Sequence, residues 1–164
     1  SCSLMLKFEW PLLLPDNAAV KKLSDATFDL SEYVVDLSKR QGLMPIEAMP
    51  SAVAVHFACH ARAQNMGAKA VEMLRLIPEA RPQVVERCSG HGGKWGIFKE
   101  NFETAIKIGK PAARAIEKLK PDYVVSECPL AGPHLKQVLK AVDSDVIPER
   151  IGHPIEVMAK AYGF

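Results

Sequence analysis

Apolar and polar positions divide the chain into two unequal stretches. Residues 1–50 carry helical periodicity in short pieces broken by Pro11, Pro15, Pro45 and Pro50. Val20 and Leu23 mark one piece. Tyr33, Val34 and Leu37 mark a second, which Gly42 ends. From residue 51 the pattern changes to strand and helix in alternation. The apolar run Ala52–Ala58 predicts a buried strand. Ala70, Met73, Leu74 and Ile77 follow at i, i+3, i+4 and i+7, the stripe of a helix lying on a sheet, and Pro78 stops it. Gln83–Arg87 predicts a second strand and Asp122–Glu127 a third. Between them a glycine-rich loop, Gly90 to Gly96, leads into a helix over Phe98–Lys120, which Pro111 should kink or split. Leu135, Val138, Leu139 and Val142 mark a further helix with Pro133 in its first turn. Asp145–Pro148 predicts a fourth strand, and Ile155, Met158, Ala159 and Tyr162 a last helix. Strands alternating with helices imply an α/β fold: a small parallel sheet with crossover helices, plus a helical N-terminal extension.

Composition narrows what this fold can do. The chain has 164 residues, 48% hydrophobic and 24% charged, an ordinary globular balance. With 21 basic and 19 acidic residues the net charge is +2, too little to imply nucleic-acid or membrane-surface binding. No apolar run is long enough for a transmembrane segment. Residues 1–10 lack a basic head followed by an apolar stretch, so a secretory leader is not read there and a reducing, cytoplasmic setting is expected. Lys94–Lys120 holds seven basic and three acidic residues, read as a solvated face more readily than a docking face.

The chemistry lies in the cysteines, at positions 2, 59, 88 and 128. Cys59, Cys88 and Cys128 each follow one of the first three predicted strands. Parallel strands end on one edge, where α/β folds build their sites. Three thiols scattered along the chain should therefore converge. Soft thiolates select zinc or an iron–sulfur cluster. Gly90, Gly92 and Gly93 would present backbone N–H groups to sulfur. Read instead as G-x-G-x-x-x-G, the same loop could bind a nucleotide, with Glu127 holding a ribose; Trp95 is bulky for that role. Candidate fourth ligands or supporting groups are His91 and His60, each within three residues of a cysteine, then His153 and Ser89. His134 lies near Cys128, and His56 within the first strand.

Cys59, then Cys88-Ser89-Gly90, then Cys128-Pro129-Leu130-Ala131 resembles the cysteine-rich CCG domain of heterodisulfide reductase-related iron–sulfur oxidoreductases. It is similar in this to iron–sulfur subunits of anaerobic glycerol-3-phosphate dehydrogenase and of glycolate oxidase. The loop RCSGHGGKWG and the ending GHPIEVMAKAYG carry the same resemblance, which covers residues 50–164. The opening Ser1-Cys2-Ser3 resembles the tail of a preceding repeat. The expected organisation is thus a helical extension over 1–50, made of that tail and a linker, and the CCG-type domain over 51–164. The resemblance implies an electron-transfer domain with an iron–sulfur cluster, [4Fe-4S], working with a flavin dehydrogenase and a quinone or thiol/disulfide acceptor. It implies further a missing N-terminal part with a ferredoxin-like module and a first repeat, and attachment to the inner membrane through partners. Two positions depart from the pattern. Ser89 stands where CCG has its second cysteine, and Ala131 where CxxC has its last. The three remaining thiols argue against the family's noncubane cluster. A cubane with one other ligand stays open, as does a structural zinc or protein-interaction domain without a redox role.

Overall fold

The computed structural model describes residues 2–164. Helical turns open the chain: α1 (Cys2–Leu4), a wide π-helical turn (Met5–Glu9) and α2 (Trp10–Leu13). Helix α3 (Ala18–Asp25) is capped by Asn17, whose side chain accepts from Ala19 N and Val20 N. Helix α4 (Leu30–Gln41) begins in a capping box. Asp29 accepts from the start of the helix, and Glu32 reaches back to the Asp29 N–H at 3.0 Å. Then come β1 (Ser51–His56), α5 (Cys59–Arg62), α6 (Lys69–Leu74), β2 (Ala80–Val85), α7 (Phe102–Leu119), β3 (Tyr123–Ser126), α8 (Ala131–Ala141) and α9 (Pro154–Ala161).

The three strands are parallel, in the order β2-β1-β3. Val53 pairs with Pro82 on one side and with Tyr123 on the other. Both sheet faces are covered, as a parallel sheet requires. On one face Val53, Val55 and Val125 pack against α4, α6 and α9, with Met73 and Leu74 fully buried. On the other, Ala54, Val85 and Val124 pack against α7 and α8 through Ile116, Leu135 and Leu139. Val35 of α4 belongs to the first layer, so the N-terminal stretch contributes to the same core as the sheet.

Three sequence expectations change. The fourth strand over Asp145–Pro148 does not form. Asp143 adopts a left-handed φ of 50°, and the Ser144 hydroxyl accepts from the Val146 N–H at 3.1 Å, so local bonds take up this backbone. An isolated bridge between Val125 and Gly152 stands in its place. Strand β2 starts and ends earlier than Gln83–Arg87 and includes Pro82; it is an edge strand, where a missing N–H is tolerated. The long helix begins only at Phe102, after short 3-10 turns over Trp95–Ile97 and Lys99–Asn101, and runs through Pro111 without a break. Pro111 lies on the exposed side, where water can meet the carbonyl it leaves unpaired.

Candidate metal centre

The carboxyl ends of β1, β2 and β3 surround a cavity of about 310 Å³. Cys59 reaches it from the first turn of α5, Cys88 from the loop after β2, and Cys128 from the turn after β3. Cys59 and Cys88 are exposed, Cys128 partly so, and all three are free thiols. Ser89 and Ala131, the two positions where the CCG pattern has further cysteines, line the same cavity. His60, His91, Gly92 and Gly93 complete much of its wall, with Leu130 and Phe57 as apolar members. Among the described residues, no three His, Cys, Asp or Glu side chains are grouped tightly enough to hold a single ion.

The glycine loop is built for close packing. Gly90 has φ +94°, and a Cβ there would land on the Ala105 carbonyl oxygen and 2.9 Å from the Gly109 nitrogen of α7. Gly109 answers it, since a Cβ there would meet the Ser89 carbonyl oxygen at 2.5 Å. The two glycines seat the cysteine-bearing loop directly on helix backbone. In that seat the Gly90 N–H points at Cys88 Sγ, 3.3 Å away. The loop runs into 3-10 turns rather than straight into a helix, so the fold offers no helix N-terminus for a pyrophosphate there.

Ser89 is buried, and its Oγ lies 2.9 Å from Nδ1 of His91. His91 is held below the ordinary histidine range by burial and, next, by the nearby His134. The His91 and His134 rings are 6.3 Å apart. His134 is itself buried, with Nε2 unpartnered. Burial also lowers His60. Both cavity histidines thus favour the neutral form that can ligate metal or donate to sulfur. His153 stands apart. It caps α9, where Nδ1 accepts from the Ile155 N–H at 3.2 Å, and it lines a neighbouring cleft that shares Cys128. Cys2 is exposed and is not among the residues lining the thiol cavity.

Two polar residues have roles beside the site other than those their sequence positions suggest. His56 is buried at the end of β1. Its Nε2 lies 3.1 Å from the Arg87 carbonyl and its Nδ1 2.9 Å from the Ser126 hydroxyl. Burial is the main cause that lowers its pKa to about 4, so it is neutral at physiological pH. Glu127, beside Cys128, is not a surface ribose ligand. It is buried, accepts from the Ser31 hydroxyl of α4 at 3.0 Å, and leaves Oε2 without a partner. Burial raises it from 4.5 to about 7, against the opposing Ser31 bond. Above pH 4.5 the unfolded chain ionises this carboxyl before the folded one does, so folding loses stability as pH rises towards 7. In the metal-free protein, Glu127→Gln should therefore be relatively more stable than the parent at pH 8 than at pH 4.5, by up to about 3 kcal/mol. Urea melts at the two pH values test this; an unchanged difference would contradict it.

Comparison with known proteins adds the decisive observation. Residues 53–136 match the cysteine-rich CCG domain. The chain belongs to this family. The match runs from within β1 through β2 and β3 into α8 and includes all three cavity cysteines. The CCG chain is 28% identical over 98% of its length to a subunit of the anaerobic glycerol-3-phosphate dehydrogenase of Escherichia coli. It is 30% identical over 79% of its length to an iron-sulfur protein of Methanocaldococcus jannaschii. It is 30% identical over 68% of its length to a subunit of the CoM/CoB fumarate reductase of Methanothermobacter marburgensis. The chain spans 38%, 25% and 23% of these relatives. Among the described residues, no helix of this CCG protein is long and apolar enough to cross a membrane.

Proposed function

We propose that this chain carries an iron–sulfur cluster within an oxidoreductase subunit and passes electrons from a flavin dehydrogenase partner to a quinone or thiol/disulfide acceptor. One observation carries the reading. All five positions of the family's cysteine pattern (Cys59, Cys88, Ser89, Cys128 and Ala131) line one cavity, and three of them keep a thiol.

The donor set suits the cofactor. Each iron of a cluster takes its own thiolate, so cluster ligands need not crowd one point as zinc ligands must. The relatives named as iron–sulfur proteins favour the cluster over zinc. When bound, a [4Fe-4S] cluster supplies a one-electron relay. The chain's own groups do the rest. Cys59, Cys88 and Cys128 hold iron as thiolates. His91 or His60 supplies the fourth ligand or a donor to sulfur. The Gly90 N–H on Cys88 withdraws negative charge and favours the reduced state. Phe57 and Leu130 give the wall its large apolar side chains. The flavin partner, the acceptor, a further N-terminal region holding a ferredoxin-like module and a first repeat, and a cytoplasmic place at the inner membrane belong to the same proposal. It is supported by relatives that are enzyme subunits much longer than this chain.

Electron transfer is tested on anaerobically reconstituted protein. Dithionite should bleach its visible band and give a low-temperature EPR signal, and a quinone analogue or an organic disulfide should restore the band. A protein whose spectrum never responds to reductant would contradict a relay.

A further inference from the structure

His56, which nothing in the family pattern singles out, bonds to the loop just beyond β2 and to the end of β3. Its Nε2 faces the Arg87 carbonyl at 3.1 Å, an atom that only accepts, so Nε2 carries the proton. Nδ1 is then an acceptor, and the Ser126 hydroxyl donates to it at 2.9 Å. With its proton directed that way, Ser126 Oγ accepts from the Cys128 N–H at 3.3 Å. A single chain of bonds thus runs from the residue before Cys88, through the end of β1, to the backbone of Cys128. Cys59 follows His56 by three residues on the same strand end.

We propose that His56 is a positioning residue, a one-tautomer clamp that sets the spacing of the three cysteine-bearing loops through Arg87 on one arm and Ser126 on the other. The two partners are 31 and 70 residues away in sequence, so neither arm is local backbone structure. The ring is buried at the floor of the cavity, where water cannot easily replace a lost bond. That the clamp serves a cluster rests on the proposed function; the clamp itself does not.

The two arms can be cut separately. Asn places an amide oxygen where Nδ1 stands, which keeps the Ser126 arm and cannot reach Arg87. Gln places an amide N–H where Nε2 stands, which keeps the Arg87 arm and gives up Ser126. Amide hydrogen exchange is measured on the metal-free full chain. In His56→Asn, exchange at Gly90 should quicken roughly fivefold to tenfold while Cys128 stays as in the parent. In His56→Gln and in Ser126→Ala the reverse should hold. Ser126→Thr, which keeps the hydroxyl, should restore the parent rate at Cys128. The core amide of Ile116 should not change in any variant. If both loops quicken together in every variant, in step with Ile116, His56 is only part of the fold and the clamp is overturned. If neither loop changes, it is overturned as well. A protein that shows the split but takes up no cluster keeps the clamp and loses the proposed function.

Discussion

An alanine at position 90 is expected to remove most of the protein's stability. Gly90 holds φ +94°, which side-chain-bearing residues rarely adopt, and its missing Cβ is the space that the Ala105 carbonyl oxygen fills. The opposing atoms are backbone of α7, not the end of a flexible side chain, so no rotamer change can make room. Strain and overpacking together cost about 2–6 kcal/mol, against a total stability on the order of 5–15 kcal/mol for a domain. Gly93→Ala is the control, because a Cβ there meets nothing within 4 Å, so only the strain of its φ +63° remains. Thermal melts of the two variants should differ widely, with Gly90→Ala unfolding far earlier. Equal melting points would mean that the loop is not seated on α7.

The second large effect concerns the thiols. Cys59→Ser, Cys88→Ser and Cys128→Ser should each abolish or nearly abolish cluster incorporation, since a hydroxyl is a poor replacement for a thiolate on iron. Cys2→Ser should incorporate as the parent does. Ser89→Ala should also retain the cluster. Its hydroxyl already meets His91 at 2.9 Å, so the loss falls on the orientation of that ring. A modest shift in potential is expected rather than loss. Ser89→Cys should not produce the noncubane cluster, because Ala131 still brings no thiolate to the cavity. Iron content and EPR of the variants purified without oxygen check the series. Loss in Ser89→Ala as complete as in Cys88→Ser would make Ser89 a ligand.

The placement of the three cysteines was legible because it needed only two facts: each follows an apolar strand run, and parallel strands end on one edge. Strand ends moved by a few residues, with β2 passing through Pro82, yet each cysteine stayed just beyond its strand. Asp145–Pro148 misled because a short run carrying Val146 and Ile147 has no periodicity to separate strand from loop. There the Ser144 side chain and the turn at Asp143 decided the backbone. The bonding roles of His56 and Glu127 were out of reach for another reason. Their partners, Ser126, Arg87 and Ser31, lie 31 to 96 residues away, and no spacing rule connects them. The role of Gly90 was read as access to a ligand. The structure adds a second one, since the glycine is also what lets the loop touch α7.

The central claim is that Cys59, Cys88 and Cys128 hold one iron–sulfur cluster in this cavity. Iron, acid-labile sulfide and zinc should be counted per chain in protein purified and reconstituted without oxygen, beside the Cys88→Ser variant. The account predicts iron and sulfide in equal, stoichiometric amounts, a brown protein, and loss of both in the variant. Stoichiometric zinc without sulfide, or iron and sulfide undiminished in Cys88→Ser, would contradict it.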